Sequence, residues 1–424
     1  MSSSSETYAV IGGEGFLGAA LVSELLARHP PARVASLGLT QRRFEPAAYR
    51  FVRTDITSFE SVAAALAASG ATTVFHTASP HANATADVWH RVNVDGTRAV
   101  VAACRAAGVK KLVFTSSATV VFDNDALKNV DERIPTVDVE GDRGEPTYVS
   151  TKAKAEKIVL DANGQDGLLT CSLRLSGIIG PGDRQVIPGF IEVYKAYQST
   201  FQMGLNENLF DFVTVRNVVH AHLLAADKLD APPVPLSAFE TRLRPVDCTI
   251  KRRQLPTSRT PGIVTNDAAK DDDDEPLPAG RTRYNQFYEP DAAPSLAGEA
   301  VFVSNGEPVP FWSFARAVYC AYAGHPTPFV FKLPARLGML VAGACELAGR
   351  AVGKRPEDCS INRKYMQYVL NDMYFDIERA RRLLGYEPLE TLEEGLKSAV
   401  EWYKADEERT RQKQSADRSS RKSK

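Results

Sequence analysis

The chain has 424 residues, of which 44% are hydrophobic and 24% charged, with a formal net charge of −1 at pH 7. That length supplies a large core and two or three structural units. The near-neutral balance argues against a nucleic-acid binder held by bulk electrostatics. Six cysteines without CxxC spacing argue for a reducing compartment and against a disulfide scaffold or a zinc site.

Residues 1–6 lack the basic region and apolar run of a signal peptide. A short apolar strand is predicted over Thr7–Ile11, followed by the glycine loop Gly12-Gly13-Glu14-Gly15-Phe16-Leu17-Gly18 and an amphipathic helix over 19–28. This strand–turn–helix order suits a dinucleotide loop. Gly12 permits the tight turn, Gly15 lets backbone N–H groups approach a pyrophosphate, and Gly18 allows helix and sheet to pack closely. The second strand, Arg33–Leu37, ends at Gly38, where an NAD-preferring enzyme usually has an acid for the ribose 2′-hydroxyl. Arg42 and Arg43 follow and can pair with a 2′-phosphate, so the expected cofactor is NADP, with NAD the alternative if both arginines are solvated loop charges.

Further short apolar strands are predicted at Thr73–His76, Lys111–Ser116 and Thr170–Leu175, with Ala-rich helices between them. The alternation predicts an α/β fold, a Rossmann-type doubly wound parallel sheet spanning 6–230. Tyr148 and Lys152 stand at i and i+4, on one face of a helix. An ammonium beside a phenol stabilises the phenolate, which lets it act as a base near neutral pH. A serine at the end of the 111–116 strand then holds the substrate oxygen against the phenol.

Residues 231–298 are rich in Pro and Asp without periodicity and are expected to be a disordered insertion; a partner-binding lid is the functional alternative. A strand leading into a helix over Phe311–Ala323 opens a smaller C-terminal substrate-binding part, 299–403. The apolar stretch 333–352 is too short between charges to span a bilayer, and reads either as a membrane-interface helix or as a buried core helix. A last helix is expected over Leu392–Tyr403, then a disordered charged tail, 404–424.

The ordered set formed by the glycine loop, Thr54-Asp55-Ile56, His76-Thr77-Ala78-Ser79-Pro80, Asn93-Val-Asp-Gly96, Ser117, Tyr148–Lys152, Leu173 to Asp183 and Asn305-Gly-Glu307-Pro resembles the extended short-chain dehydrogenase/reductases. Within them it resembles the 3β-hydroxysteroid dehydrogenase family, and there the decarboxylating dehydrogenases of sterol C4-demethylation. The resemblance implies Tyr148 as proton acceptor, Lys152 as the ribose-binding residue that tunes it, and Ser117, rather than Ser116, as the partner of the substrate oxygen. It implies Phe16, Leu17, Asp55, Ile56, Ala78, Ser79, Asn93 and Gly177 as further cofactor contacts, with Asp55 at the adenine amino group. The implied substrate is a lipophilic sterol oxidised at its 3β-hydroxyl. The implied setting is the cytoplasm or the cytosolic face of the endoplasmic reticulum, with peripheral membrane contact and a homodimer or sterol-enzyme complex as partners. A dehydrogenase of another steroid, triterpenoid or secondary metabolite is the nearer alternative. A non-catalytic NADP-sensing module is the more distant one, and the intact Ser117, Tyr148 and Lys152 argue against it.

Overall fold

The computed structural model describes residues 6–41, 49–81, 84–132, 134–137, 146–231, 295–353 and 362–422. Arg42, Arg43 and nearly all of the 231–298 insertion lie outside these residues. Seven strands form one sheet: β1 Tyr8–Ile11, β2 Val34–Gly38, β3 Arg50–Arg53, β4 Thr73–His76, β5 Lys111–Ser117, β6 Leu169–Leu175 and β7 Ala300–Val303. In space they run β3-β2-β1-β4-β5-β6-β7, and every pairing is parallel. Strand order reverses between β1 and β4. Both strands' carboxyl ends open there into the crevice where doubly wound folds bind ligands.

The period of two along each strand divides its side chains between two helical layers. Tyr8 and Val10 pack with helices Phe16–Arg28 and Val215–Lys228 on one face. Ala9 and Ile11 pack on the other with helices Phe59–Ser69, Thr97–Ala106 and Tyr148–Asp161. A third apolar cluster is built around Phe210, Phe212, Phe314 and Phe375. Phe212 and Phe314 stack there with centroids 3.8 Å apart.

The C-terminal part is shared between layers rather than forming a separate block. Its strand β7 closes the edge of the main sheet beside β6, with Phe302 opposite Arg174. Helix Glu378–Leu384 returns to pack in the first layer through Ala380, Leu383 and Leu384. Asn217 ties the returning chain down. Its amide donates to Asn305 Oδ1 and Glu390 O, and its Oδ1 accepts from the N–H groups of Leu389 and Glu390.

Two stretches differ from the sequence expectation. The last helix runs Leu392–Lys422 instead of ending at Tyr403. No Gly or Pro interrupts it after Gly395, and Glu407 fastens its middle by accepting from Tyr322 Oη (3.0 Å) and pairing with Lys195 (3.1 Å). The apolar stretch forms helix Ala335–Ala351, in which only Gly338, Ala342 and Gly349 are buried. Its large side chains face outward, which excludes a buried core helix. No helix among the described residues is long and apolar enough to cross a membrane.

The catalytic-side helix Tyr148–Asp161 is locked to β6 by a buried ion pair. Arg174 Nε and Nη2 reach Glu156 Oε1 at 3.0 and 2.7 Å, and Ser172 Oγ donates to Oε2 at 2.9 Å. Removing one partner leaves a desolvated charge unpaired. Glu156→Ala is therefore expected to lower unfolding free energy by about 3–5 kcal/mol in urea titrations. Arg105→Ala, which breaks the solvent-exposed pair with Asp166, is expected to cost no more than about 1 kcal/mol.

Candidate active site

At the carboxyl end of β1, Gly12 turns with φ +82° and donates its N–H to Leu37 O at 2.8 Å. A Cβ on Gly12 would meet the Ala78 backbone at 2.9 Å, so the two loops touch. A Cβ on Gly18 would overlap the Gly12 carbonyl, which explains the close packing of helix on loop. Gly15 caps the helix without a side-chain acceptor, so the first-turn N–H groups remain for an anion. Gly12, Gly15, Phe16, Leu17 and Gly18 all line one wall of a cavity of about 580 Å³. The cradle is filled by no side chain and fits a dinucleotide pyrophosphate.

Ser117, Tyr148, Lys152, Ser79 and Gly177 line the same cavity. Thr147 and Ser150 form a reciprocal capping box, with Ser150 N donating to Thr147 Oγ1 at 3.1 Å and Thr147 N to Ser150 Oγ at 3.0 Å. The box makes Tyr148 the first helical residue and aims its ring at the cavity, edge-on to Trp89. Burial pushes the Tyr148 phenol above its ordinary pKa, and a hydrogen bond with Ser117 opposes the rise. Ser117 is itself set by Thr119, whose N–H donates to Ser117 Oγ at 3.2 Å and whose hydroxyl lies 2.8 Å from it. Ser116, the neighbour, has a buried hydroxyl that finds no partner among the described residues.

Lys152 is buried, and its Nζ donates to Thr115 O at 2.6 Å while lying over the Phe114 ring. Its hydrogen bond thus goes to the β5 backbone and not to the phenol. Burial lowers its pKa from 10.5 to about 7, against the pull of Glu156. Asn93 lies in a π-helical stretch, His90–Gly96, a distortion that re-aims side chains at functional sites. Its Nδ2 donates to Thr151 Oγ1 and its Oδ1 accepts from Ser79 Oγ, so it joins the β4 loop to the Tyr148 helix. Asp55 and Ile56 follow β3. Asp55 accepts from Thr57 N and Oγ1, which holds its carboxyl below the usual range, and Ile56 packs against Gly96. Asp55, Ile56, Ala78 and Asn93 lie outside the lining of the cavity itself. Arg42 is outside the described residues.

Two residues that stand inside sequence motifs had no role assigned from the sequence alone. Asp183 accepts from the N–H groups of Gln185, Val186 and Ile187 and so fixes the cavity loop ahead of helix Val186–Lys195. Glu14 turns its carboxylate toward β2, where Ser36 Oγ and Tyr49 Oη donate to Oε1 at 2.8 and 2.7 Å. The far end of the cavity is formed by Phe210, Tyr368, Met373 and Phe375, an aromatic and apolar surface. Among the described residues no cluster of His, Cys, Asp and Glu could hold a metal ion.

A glycine cradle, Ser117, Tyr148 and a buried lysine therefore share one cavity with an apolar surface. The profile of the 3-beta hydroxysteroid dehydrogenase/isomerase family matches residues 9–239. The chain belongs to that family. It is 36% identical over 329 residues to sterol-4-alpha-carboxylate 3-dehydrogenase erg26, decarboxylating, of Schizosaccharomyces pombe, covering 78% of this chain and 76% of that protein. The corresponding Mus musculus enzyme is 31% identical, covering 92% and 89%. Among solved structures, gox2253 superposes with a TM-score of 0.65 at 20% identity, covering 95% and 99%. The UDP-glucose 4-epimerase of Thermus thermophilus superposes with a TM-score of 0.59 at 20% identity, covering 94% and 99%. These structures share the fold.

The lowered pKa of Lys152 has a sign that can be measured. Between about 7 and 10.5 the unfolded chain holds the proton and the folded chain does not, so stability rises with pH across that window. Below the window both states are protonated and the buried charge costs its full penalty. Lys152→Met is expected to raise stability at pH 6.5 and to flatten the rise between pH 7 and 10. Denaturant unfolding of the cofactor-free protein across that range checks it.

Proposed function

We propose that the chain oxidises a 3β-hydroxysterol to the 3-ketone, and that the substrate carries a 4α-carboxylate that leaves as CO2. The observation that carries this is a single cavity lined by Ser117 and Tyr148, by the glycine cradle and by Phe210, Tyr368, Met373 and Phe375. The polar pair suits one alcohol and the aromatic end suits a rigid apolar ring system. Relatives named as decarboxylating sterol dehydrogenases support the choice of substrate.

The loop Gly12–Gly18 holds the pyrophosphate of NAD or NADP, whose nicotinamide supplies a hydride acceptor. Tyr148, ionised, takes the proton from the 3β-hydroxyl. Ser117 donates to the same oxygen and keeps it oriented while it becomes a carbonyl. Lys152 would contact the ribose, and when protonated its ammonium would favour the phenolate of Tyr148. In the resulting β-keto acid, the electrons of the C4–carboxyl bond move into the 3-ketone as CO2 departs, leaving an enol that takes a proton at C4. That step requires no further side chain.

The exposed face of helix Ala335–Ala351 supports peripheral contact with a membrane, the source of a lipophilic substrate, at the cytosolic face of the endoplasmic reticulum. Leu340 and Leu347 are each 71% exposed, and Phe329 and Phe331 extend the apolar surface, with Lys332 and Arg336 exposed alongside.

The deciding assay is turnover of a 4α-carboxysterol with each nicotinamide cofactor, following reduced cofactor and CO2 together. Tyr148→Phe keeps the ring and loses the ionisable oxygen. It is expected to lower turnover by about 10²–10⁴-fold while cofactor affinity is nearly unchanged. Near-normal turnover would remove Tyr148 from the chemistry. Leu340→Ser combined with Leu347→Ser is expected to reduce binding to anionic vesicles by about tenfold, with turnover of detergent-dispersed substrate retained. Flotation with the vesicles checks it.

A further inference from the structure

We propose that Glu14, a residue of the glycine loop, selects NAD over NADP by supplying the acid that the end of β2 lacks. The inference rests on the reading of the cavity as a nicotinamide-cofactor site and is independent of the sterol. In the doubly wound fold the adenosine ribose lies past the carboxyl end of β2, and an acid there grips its 2′-hydroxyl. This chain has Gly38 at that position. Read along the sequence alone, Gly38 followed by two arginines points to a 2′-phosphate. The fold adds a carboxylate from a different element.

Three observations place it. The heavy atom nearest to a Cβ built on Gly38 is Glu14 Cγ, at 3.9 Å, so the glutamate stem lies next to where a β2 side chain would begin. Glu14 is buried to 8% exposure, yet it lines the cavity together with Gly15 and Phe16. Its carboxylate is held in place by hydroxyl donors from two elements, Ser36 on β2 and Tyr49 before β3. Gly13 packs so tightly on Ser36 that a Cβ there would overlap the serine hydroxyl, which fixes the loop against β2. Burial and then the Glu14 hydrogen bond push the Tyr49 phenol up to about 12, so it stays a donor throughout the working range.

The chemistry separates the two cofactors. A carboxylate at this position accepts a hydrogen bond from a ribose 2′-hydroxyl, a charge-assisted bond. Against a 2′-phosphate it has no proton to accept and meets a second negative group in a half-buried site. A Cβ at position 38 has room beside Glu14, so any effect of a substitution there on the glutamate is one of charge. An aspartate at position 38 would crowd a second carboxylate against the first instead of creating an NAD site.

The test is direct titration of the unmodified full-length protein with NADH and with NADPH, read by nicotinamide fluorescence. NADH is expected to bind at least about tenfold more tightly. Glu14→Gln keeps the shape and an oxygen acceptor for Ser36 and Tyr49 but removes the charge. It is expected to bring the two dissociation constants together, mainly by strengthening NADPH. Equal or tighter binding of NADPH by the unmodified protein would overturn the proposal, as would an unchanged ratio in a folded Glu14→Gln variant. If Glu14→Gln does not fold, the ratio in the unmodified protein decides. Failure of both dinucleotides to bind would instead sink the cofactor-site reading itself.

Discussion

One buried ion pair holds the site to the scaffold. Glu156 and Arg174 join the middle of the Tyr148 helix to β6, with both Glu156 oxygens in use. Two charges out of water are held only because the fork is bidentate and Ser172 completes it. The same pair reaches in both directions. Glu156 partly supports the positive charge of Lys152 one turn away. Arg174 lies over the Phe302 ring of β7, and Phe302 stacks on Phe375 at 4.7 Å. Phe375 lines the apolar end of the cavity. Position of the Tyr148 helix, charge on Lys152 and shape of the apolar lining thus lean on a single contact.

Much of this was legible in the sequence, for identifiable reasons. The strands β1, β2, β4, β5 and β6 are short apolar runs closed by polar or glycine residues, and their boundaries fall within a residue of the pattern. Gly12 and Gly18 announce themselves because no other residue fits their backbone or their contacts. Tyr148 and Lys152 stand out by their helical spacing, whereas Ser117 is preferred to Ser116 only through the family resemblance. What the sequence hides are relations between distant residues. Glu14 stands in plain view inside the glycine loop, but only the sheet brings it to Ser36 and Tyr49. Lys152 has the expected place on the helix, and its hydrogen bond to Thr115 O depends on how closely that helix approaches β5. The length of the last helix was hidden for a different reason. Its polar composition looks like a solvated tail, and Tyr322 and Lys195, far away in sequence, keep it ordered.

The cavity combines two surfaces of unlike origin. The nucleotide end is backbone, drawn from one loop and one helix start, and tolerates almost no added atom. The apolar end is assembled from side chains on separate elements, at Phe210, Tyr368 and Met373 among others. A surface of that second kind can change its shape by single substitutions without disturbing the first. The glycine-loop half is thus the rigid one and the side-chain half the adaptable one.

Strand β7 also sets an order of assembly. It docks beside β6, yet the ribosome delivers it long after β6, once the whole 231–298 segment has emerged. Until then a nascent chain carries an open parallel edge at Ser172 to Leu175, and Glu132 lacks the Phe302 N–H from which it finally accepts. An uncovered strand edge is a template for pairing with another chain, and a contact of such long sequence separation forms late. A premature stop between Leu175 and Ala300 would therefore leave a sheet whose own β6 edge stays open to neighbours, a product prone to aggregate rather than to persist as a smaller protein.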